Sequence, residues 1–421
     1  MRQPKIISAL ATYNRREAQA DLFAGITVAM VALPLSIAIA IASGATPAQG
    51  LVTAIVAGFL ISALGGSRVQ IGGPTGAFIV VVYGVIAAHG YDGLVLATFM
   101  AGLILLVAGW FRVGRLIALV PEAVIDGFTI GIAIIIAASQ IKDLAGLSLA
   151  EVPADFLPKI AALWAARGGL DPAALGIGLA VMAMIVLFRR AAPKLPGLIV
   201  AVALGSAAAL LLGLDVETIE GRFGALPAAL PAPMLPEVSW VRIVELLPSA
   251  LVIAFLAGIE SLLSAIVADR MIGGAHRPNA ELIAQGAANL GSALFGGLPA
   301  TGAIARTATN VRAGGRTPVA GIVHALTILL VMLLAAPLAG AMALPALAGL
   351  LILTAWNMAE PGKLCARLSG RRSDAALLLL TMLLTVLADL TVAIGVGVAL
   401  GLALRLLRRE APPAKHDPRE R

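Results

Sequence analysis

Between residues 22 and 42 there is no charged side chain, and Leu, Ile, Val and Ala dominate the run. About 20 such residues in a helix cover the roughly 30 Å of a bilayer's hydrocarbon. In hydrocarbon a backbone satisfies its N–H and C=O groups only as a helix or a closed barrel. Further uncharged runs follow at 51–64, 94–110 and 377–387. With 60% hydrophobic residues, 13% charged residues and a mean hydropathy of +0.99, the 421-residue chain lies outside the balance of a soluble domain. The expectation is an all-α integral membrane protein.

Gly, Pro and charge punctuation divides the chain into fourteen segments. They lie near 21–43, 48–66, 74–88, 93–111, 116–141, 173–189 and 195–213, then 245–268, 279–296, 301–313, 317–336, 341–358, 373–388 and 390–408. Of the 30 Lys and Arg residues, 24 fall on one side of that layout and five on the other, with Arg306 inside the tenth segment. By the positive-inside rule both termini are cytoplasmic. The expected organisation is a tail over 1–20, a first set of seven over 21–213, an outer connection over 214–244, a second set over 245–408 and a short tail over 409–421. The net charge of +7 is then a topology signal rather than a nucleic-acid footprint. The stretch before the first run lacks the short apolar core and cleavage site of a signal peptide, so the N-terminus is expected to be retained.

Enzyme chemistry finds no support. The single Cys365 excludes a disulfide framework or a thiolate cluster. His89, His276, His324 and His416 show no metal-ligand spacing, and neither a nucleophile motif nor a phosphate loop is present. No cofactor or resident metal is expected beyond a coupling ion.

A helix breaker occurs twice. "ISALGGSRVQIGGPTGA" (61–77) and "GSALFGGLPATGA" (291–303) share Ser-Ala-Leu, a Gly pair, a Pro and Thr-Gly-Ala. Seven segments per half is an odd number, so the second half inserts upside down, the inverted repeat of secondary transporters. Half-helices starting at Thr75 and Thr301, about 12 to 14 residues each, reach roughly 18–21 Å at 1.5 Å per residue, half a membrane. Their starts are expected to meet at mid-bilayer. Unpaired N–H groups there carry partial positive charge, so two facing starts make an anion site. The candidate binding residues are Pro74, Thr75, Gly76, Ala300, Thr301 and Gly302, with Arg306 a turn and a half further on.

Arg306 has three open roles: it adds field to the anion site, it satisfies Glu260, or it snorkels toward the inner face. Glu260 sits near the middle of the eighth segment, where a carboxylate is a functional candidate by default. Ser264 lies on the same helix face. Desolvation disfavours the charged carboxylate, so Glu260 takes up H⁺ or sits beside Na⁺, with Ser264 and Thr301 as further Na⁺ candidates. Glu122 and Asp126, at the start of the fifth segment, suit a gate or a surface role. Asp269, Arg270 and Asp389 are expected to be solvated.

At these residues the chain resembles the sulfate permease (SulP) family, bacterial relatives of solute carrier family 26. The resemblance is carried by "VALPLSIAIAIASGATPAQGL", "GGPTGA", "GFTIGIAI", "GIESLLSAIVAD" and "ELIAQGAANLGSALFGGLPATGAIARTATNVRAGGRTP". It covers nearly the whole chain, about 21–407. It implies fourteen segments in two inverted sevens, a core domain (segments 1–4 and 8–11) moving against a gate domain (5–7 and 12–14), a bacterial inner-membrane location and often a homodimer. It implies a small anion such as sulfate, bicarbonate or a dicarboxylate, held at 74–76 and 300–302. In a sodium-coupled bicarbonate branch the acidic position and the one four later look like Asp and Thr. Here they are Glu260 and Ser264, which favours a proton. The cytoplasmic STAS domain of most members is not expected after the last segment. Two alternatives remain: a nucleobase:proton symporter of the same architecture, which would place a second carboxylate where Thr301 and Arg306 stand, and an uncoupled anion channel.

Overall fold

A computed structural model describes residues 3–115, 121–149, 152–153, 155–192, 196–388 and 390–407. The first half contains α1 (Lys5–Leu10), α2 (Arg15–Ala42), α3 (Pro47–Leu64), a two-residue strand β1 (Gly72–Gly73), a 3-10 turn (Gly76–Phe78) and α4 (Ile79–Trp110). It continues through α5 (Glu122–Ser139), α6 (Ile141–Leu144), α7 (Phe156–Ala165), α8 (Pro172–Ala191), α9 (Gly197–Leu211) and α10 (Ile219–Phe223). The second half contains α11 (Trp240–Ile272), α12 (Pro278–Leu294), β2 (Thr301–Gly302), α13 (Ile304–Arg312) and α14 (Val319–Gly340). It closes with α15 (Leu344–Ala359), α16 (Pro361–Leu368), α17 (Arg372–Leu387) and α18 (Leu390–Leu407). Among the described residues, seven helices are long and apolar enough to cross a membrane.

Two lengths differ from the sequence reading. The third and fourth segments run together as α4, bent at Gly90, whose φ of 69° is a left-handed conformation that glycine adopts without steric penalty. The tenth is shorter than expected, because Thr301 and Gly302 form a strand. The nine residues of α13 reach about 14 Å at 1.5 Å per residue.

The helices pack as two groups. In one, α12 lies against α3 and α4, α11 against α4 and α13, and α14 against α2 and α3. In the other, α5 lies against α15 and α17, α8 against α9 and α15, and α17 against α18. Close backbone approach sets both. A Cβ on Gly102 would stand 2.9 Å from the Gly286 carbonyl between α4 and α12, and one on Gly349 would stand 2.7 Å from the Gly178 carbonyl between α15 and α8. Small residues at such crossings let helices meet where no hydrophobic force drives them together.

At the edge of the first group, Asp21 of α2 is buried and accepts hydrogen bonds from the Arg316 and Thr317 amides (2.7 and 3.1 Å) and the Thr317 hydroxyl. Tyr13, 3.3 Å from the same carboxylate, has its phenol pushed up to about 12 by burial and then by the Asp21 charge.

Candidate anion-binding site

Both breaks fold into one ribbon. β1 and β2 pair antiparallel, Gly72 opposite Gly302 and Gly73 opposite Thr301, and all four residues are buried. Thr75 and Thr301, far apart in sequence, are therefore neighbours, and each precedes a helix start that no side chain caps. Uncapped N–H groups at these two ends carry the partial positive charge an anion would meet.

Irregular backbone buried among apolar helices needs partners other than bulk water, and side chains supply them. The first break is held by the second half of the chain, and the second break largely by its own half with Thr53 reaching across. Along α13, Arg306 donates from Nη2 to the Pro74 carbonyl (2.7 Å), Thr307 accepts from the Ile71 amide (3.1 Å), and Asn310 donates to the Val69 carbonyl (2.8 Å). On the opposite side, Asn289 grips Ala300 as a strand partner would, accepting from its amide and donating to its carbonyl, both at 2.9 Å. Thr53 of α3 accepts from the Leu298 amide (2.6 Å), and Ser292 donates to the Leu298 carbonyl (2.6 Å).

The duplicated threonines both turn to α11. Thr75 donates to Glu260 Oε2 at 2.8 Å, and Thr301 donates to the Ala257 carbonyl at 2.8 Å, one turn earlier on the same helix. Ser264, fully buried, lies 3.2 Å from the Thr307 hydroxyl. The oxygens of Glu260, Ser264 and Thr301 thus each have a different protein partner. Gly76 faces the second helix group: a Cβ there would stand 3.0 Å from Met358 Sδ of α15 and 3.5 Å from Ile136 of α5. The start at Gly76 consequently lies at the seam between the two groups, and the ribbon ties the start of α13 beside it. Ile304 and Ala305 at the head of α13 are exposed.

The three open roles of Arg306 narrow in the structure. Arg306 is 1% exposed, so it does not snorkel to a surface. It forms no ion pair with Glu260 among the described residues, because its guanidinium is drawn to the Pro74 carbonyl that the break leaves without a helical partner. Its Nε and Nη1 have no protein partner, which leaves buried donors facing the ribbon. A Cβ on Gly73 would stand 2.4 Å from Nη1, so this glycine makes room for the guanidinium.

Other acidic residues fall away from the ribbon. Asp126 pairs with Arg367 (2.8 Å), which also holds Glu360 (2.8 Å), and with Glu122 it lines a cavity bounded by Pro121, Asp374 and Gly401. Asp269 is not simply solvated. It accepts from the His276 amide at 2.8 Å and sits 2.6 Å from that imidazole, because the α11–α12 turn folds back on it. Arg270 is exposed, and Asp389 lies outside the described residues.

A polar stripe went unread in the sequence. Glu281, Gln285, Asn289 and Ser292 repeat at helical spacing along α12, and all four are fully buried. Glu281 accepts from the Gly66 amide (2.8 Å), the Ser261 hydroxyl (2.9 Å) and Gln285 (3.0 Å). Ser261 in turn accepts from Gln70 (2.9 Å), whose side chain lies against Gly302. Four polar residues on one face of an otherwise apolar segment were the available signal.

These features define a membrane protein organised around a pair of broken helices. The sequence profile of the sulfate permease family matches residues 19–381, and the chain belongs to that family. It is 42% identical over 88% of its length to YvdB of Bacillus subtilis, provisionally named a sulfate transporter, of which it covers 70%. It is 33% identical over 80% of its length to the bicarbonate transporter BicA of Picosynechococcus sp., and spans 61% of that protein. These relatives are transporters, not enzymes. The solved transmembrane domain of a cyanobacterial BicA superposes with a TM-score of 0.83 at 31% identity, covering 94% of this chain and all of that one. Murine Slc26a9, in a structure described as inward-facing, matches in fold with a TM-score of 0.86 at 17% identity, covering 97% of this chain and 72% of that one.

Proposed function

We propose that the protein carries a small anion, of the sulfate, bicarbonate or dicarboxylate class, across the cytoplasmic membrane by secondary active transport. The observation that carries this reading is the ribbon, which brings two uncapped helix starts and the free donors of Arg306 to one buried place at the seam. Family membership and the named functions of YvdB and BicA support an anion as the cargo. The fourteen segments form two inverted sevens with both termini cytoplasmic. The group of α2–α4 and α11–α14 acts as the moving core and the group of α5, α8, α9, α15, α17 and α18 as the gate, in an elevator-like cycle. The homodimer belongs to the same reading.

Coupling falls to Glu260. Its carboxylate stands beside the helix start that binds the anion, and holds Thr75 of that start directly. An ionised Glu260 repels the substrate, and a protonated one does not, so H⁺ and anion travel together, with Na⁺ as the second candidate. A co-transported cation also offsets the opposing membrane potential, about 2.3 kcal/mol per charge per 100 mV.

The test is uptake into proteoliposomes of radiolabelled sulfate, bicarbonate and a C4-dicarboxylate, with and without imposed H⁺ and Na⁺ gradients. Saturable uptake of one anion, accelerated by an inward H⁺ gradient, is expected. Saturable uptake of a nucleobase and of none of the anions overturns the reading, and anion flux indifferent to either gradient replaces symport with a channel.

A further inference from the structure

The connection between α6 and α8 carries a lysine in an unusual setting. Helix α7 exposes its apolar Leu157 (63%) and Trp164 (68%) and buries its cation, Lys159, at 3% exposure. No carboxylate lies within ion-pair distance of Lys159 among the described residues. Its Nζ donates to Ser139 Oγ at the end of α5 (3.0 Å) and stands 5.4 Å from the centre of the Tyr83 ring on α4. Burial pushes the ammonium below the usual lysine range, and Asp155 at the helix start partly opposes this. A buried ammonium whose direct contacts among the described residues are a hydroxyl and an aromatic face is costly, since both replace hydration poorly.

The contact is placed across the seam. Tyr83 lies seven residues, two helical turns, beyond Gly76, on the same half-helix that starts at the ribbon, and its hydroxyl donates to the Val152 carbonyl ahead of α7 (2.7 Å). Ser139 belongs to the other helix group. One lysine and one loop carbonyl thus fasten the α7 region onto the half-helix, on the side toward which that helix runs from the anion site.

We propose that Lys159 is the outer capture residue for the anion: its ammonium is parked on Tyr83 and Ser139 while the outer approach is shut, and is released to the incoming anion when the group carrying Tyr83 moves. This rests on the transport reading and topology of the preceding subsection. A point charge at the mouth of an approach raises the rate and affinity of capture from that side, with little effect at the other mouth.

The test is sided transport of sulfate, of bicarbonate and of a C4-dicarboxylate in oriented proteoliposomes, comparing wild type with Lys159→Gln and Lys159→Arg. Expected is a rise of about tenfold in KM from the outer side for Lys159→Gln, the inner-side KM staying within about twofold and Lys159→Arg close to wild type. An unchanged outer KM, or an equal change on both sides, overturns the proposal. If the wild type carries none of the three anions, the transport reading fails first. Amide exchange then still reads the parked contact: residues 156–165 exchange about fivefold faster in Lys159→Gln if the lysine fastens α7, and an unchanged rate overturns it.

Discussion

Gly302→Ala tests the ribbon through a single methyl group. A Cβ at this position would stand 1.5 Å from Gln70 Nε2 and 2.6 Å from its Cδ, closer than any real contact. Gln70 cannot simply lean away, because its Nε2 is held by the Ser261 carbonyl (3.1 Å) and hydroxyl (2.9 Å) in a fully buried place. Moving it leaves buried polar groups unpaired, about 1–3 kcal/mol. Overpacking adds about 1–3 kcal/mol. The expected loss is therefore about 2–6 kcal/mol, a large share of a typical folding free energy. The assay is thermal unfolding of the purified protein in lipid nanodiscs, for Gly302→Ala, Gln70→Ala and the double variant. Removing the Gln70 side chain makes room for the methyl, so the double variant should be more stable than Gly302→Ala alone, an interaction that a double-mutant cycle isolates. A Gly302→Ala protein that unfolds like the wild type, or a double variant with additive losses, refutes the close packing of Gln70 on β2.

Four further outcomes follow from the same structure. Glu260→Gln keeps an acceptor for the Thr75 hydroxyl while removing the titrating charge, so anion binding should persist and pH-driven accumulation disappear; unchanged pH-driven uptake removes Glu260 from coupling. Asn289→Leu frees the amide and carbonyl of Ala300 and should destabilise the protein by about 2–4 kcal/mol in denaturant unfolding, with a normal midpoint as the contrary result. Thr301→Trp fills the meeting point of the two breaks and should abolish binding by calorimetry, whereas retained affinity moves the site elsewhere. Away from the apolar helices, Arg222 hydrogen-bonds Glu217 and holds its carboxyl below the usual range near 4.5. A depressed carboxyl contributes stability above its unfolded value and loses it as pH falls through the folded one. Melting temperature should therefore drop more as pH falls from about 5 to about 3 in wild type than in Arg222→Gln, and equal drops count against the pair.

The breaks were legible in sequence because they are duplicated. Pro74-Thr75-Gly76 and Ala300-Thr301-Gly302 stood out against apolar surroundings, and lipid allows such backbone only where something satisfies it. What satisfies it was not legible. Asn289 and Ala300 are 11 residues apart, but Arg306 and Pro74 are 232 apart, and hydropathy carries no record of which carbonyl a guanidinium will find. Arg306 had the anion site, a carboxylate and a solvent boundary as candidates, and the Pro74 carbonyl that it finds in the fold was not among them. The α12 stripe was hidden for a different reason. Its polar residues are diluted in a segment still apolar enough to read as a span, so that their helical spacing, not their number, was the clue. The strand pairing shortened α13 because Thr301 and Gly302, extended in the ribbon, cannot also be helical. Helix α7 hid behind its own inverted pattern, with Leu157 and Trp164 exposed and Lys159 buried.

The most direct measurement is a high-resolution electron-microscopy map of the protein in lipid nanodiscs, saturated with whichever anion the uptake panel selects. Density for that anion within hydrogen-bond distance of the amides at 76–77 and 304–305, beside paired strands at 72–73 and 301–302, is the expected result. Anion density remote from both helix starts, or two unbroken helices passing through residues 75 and 301, contradicts the account.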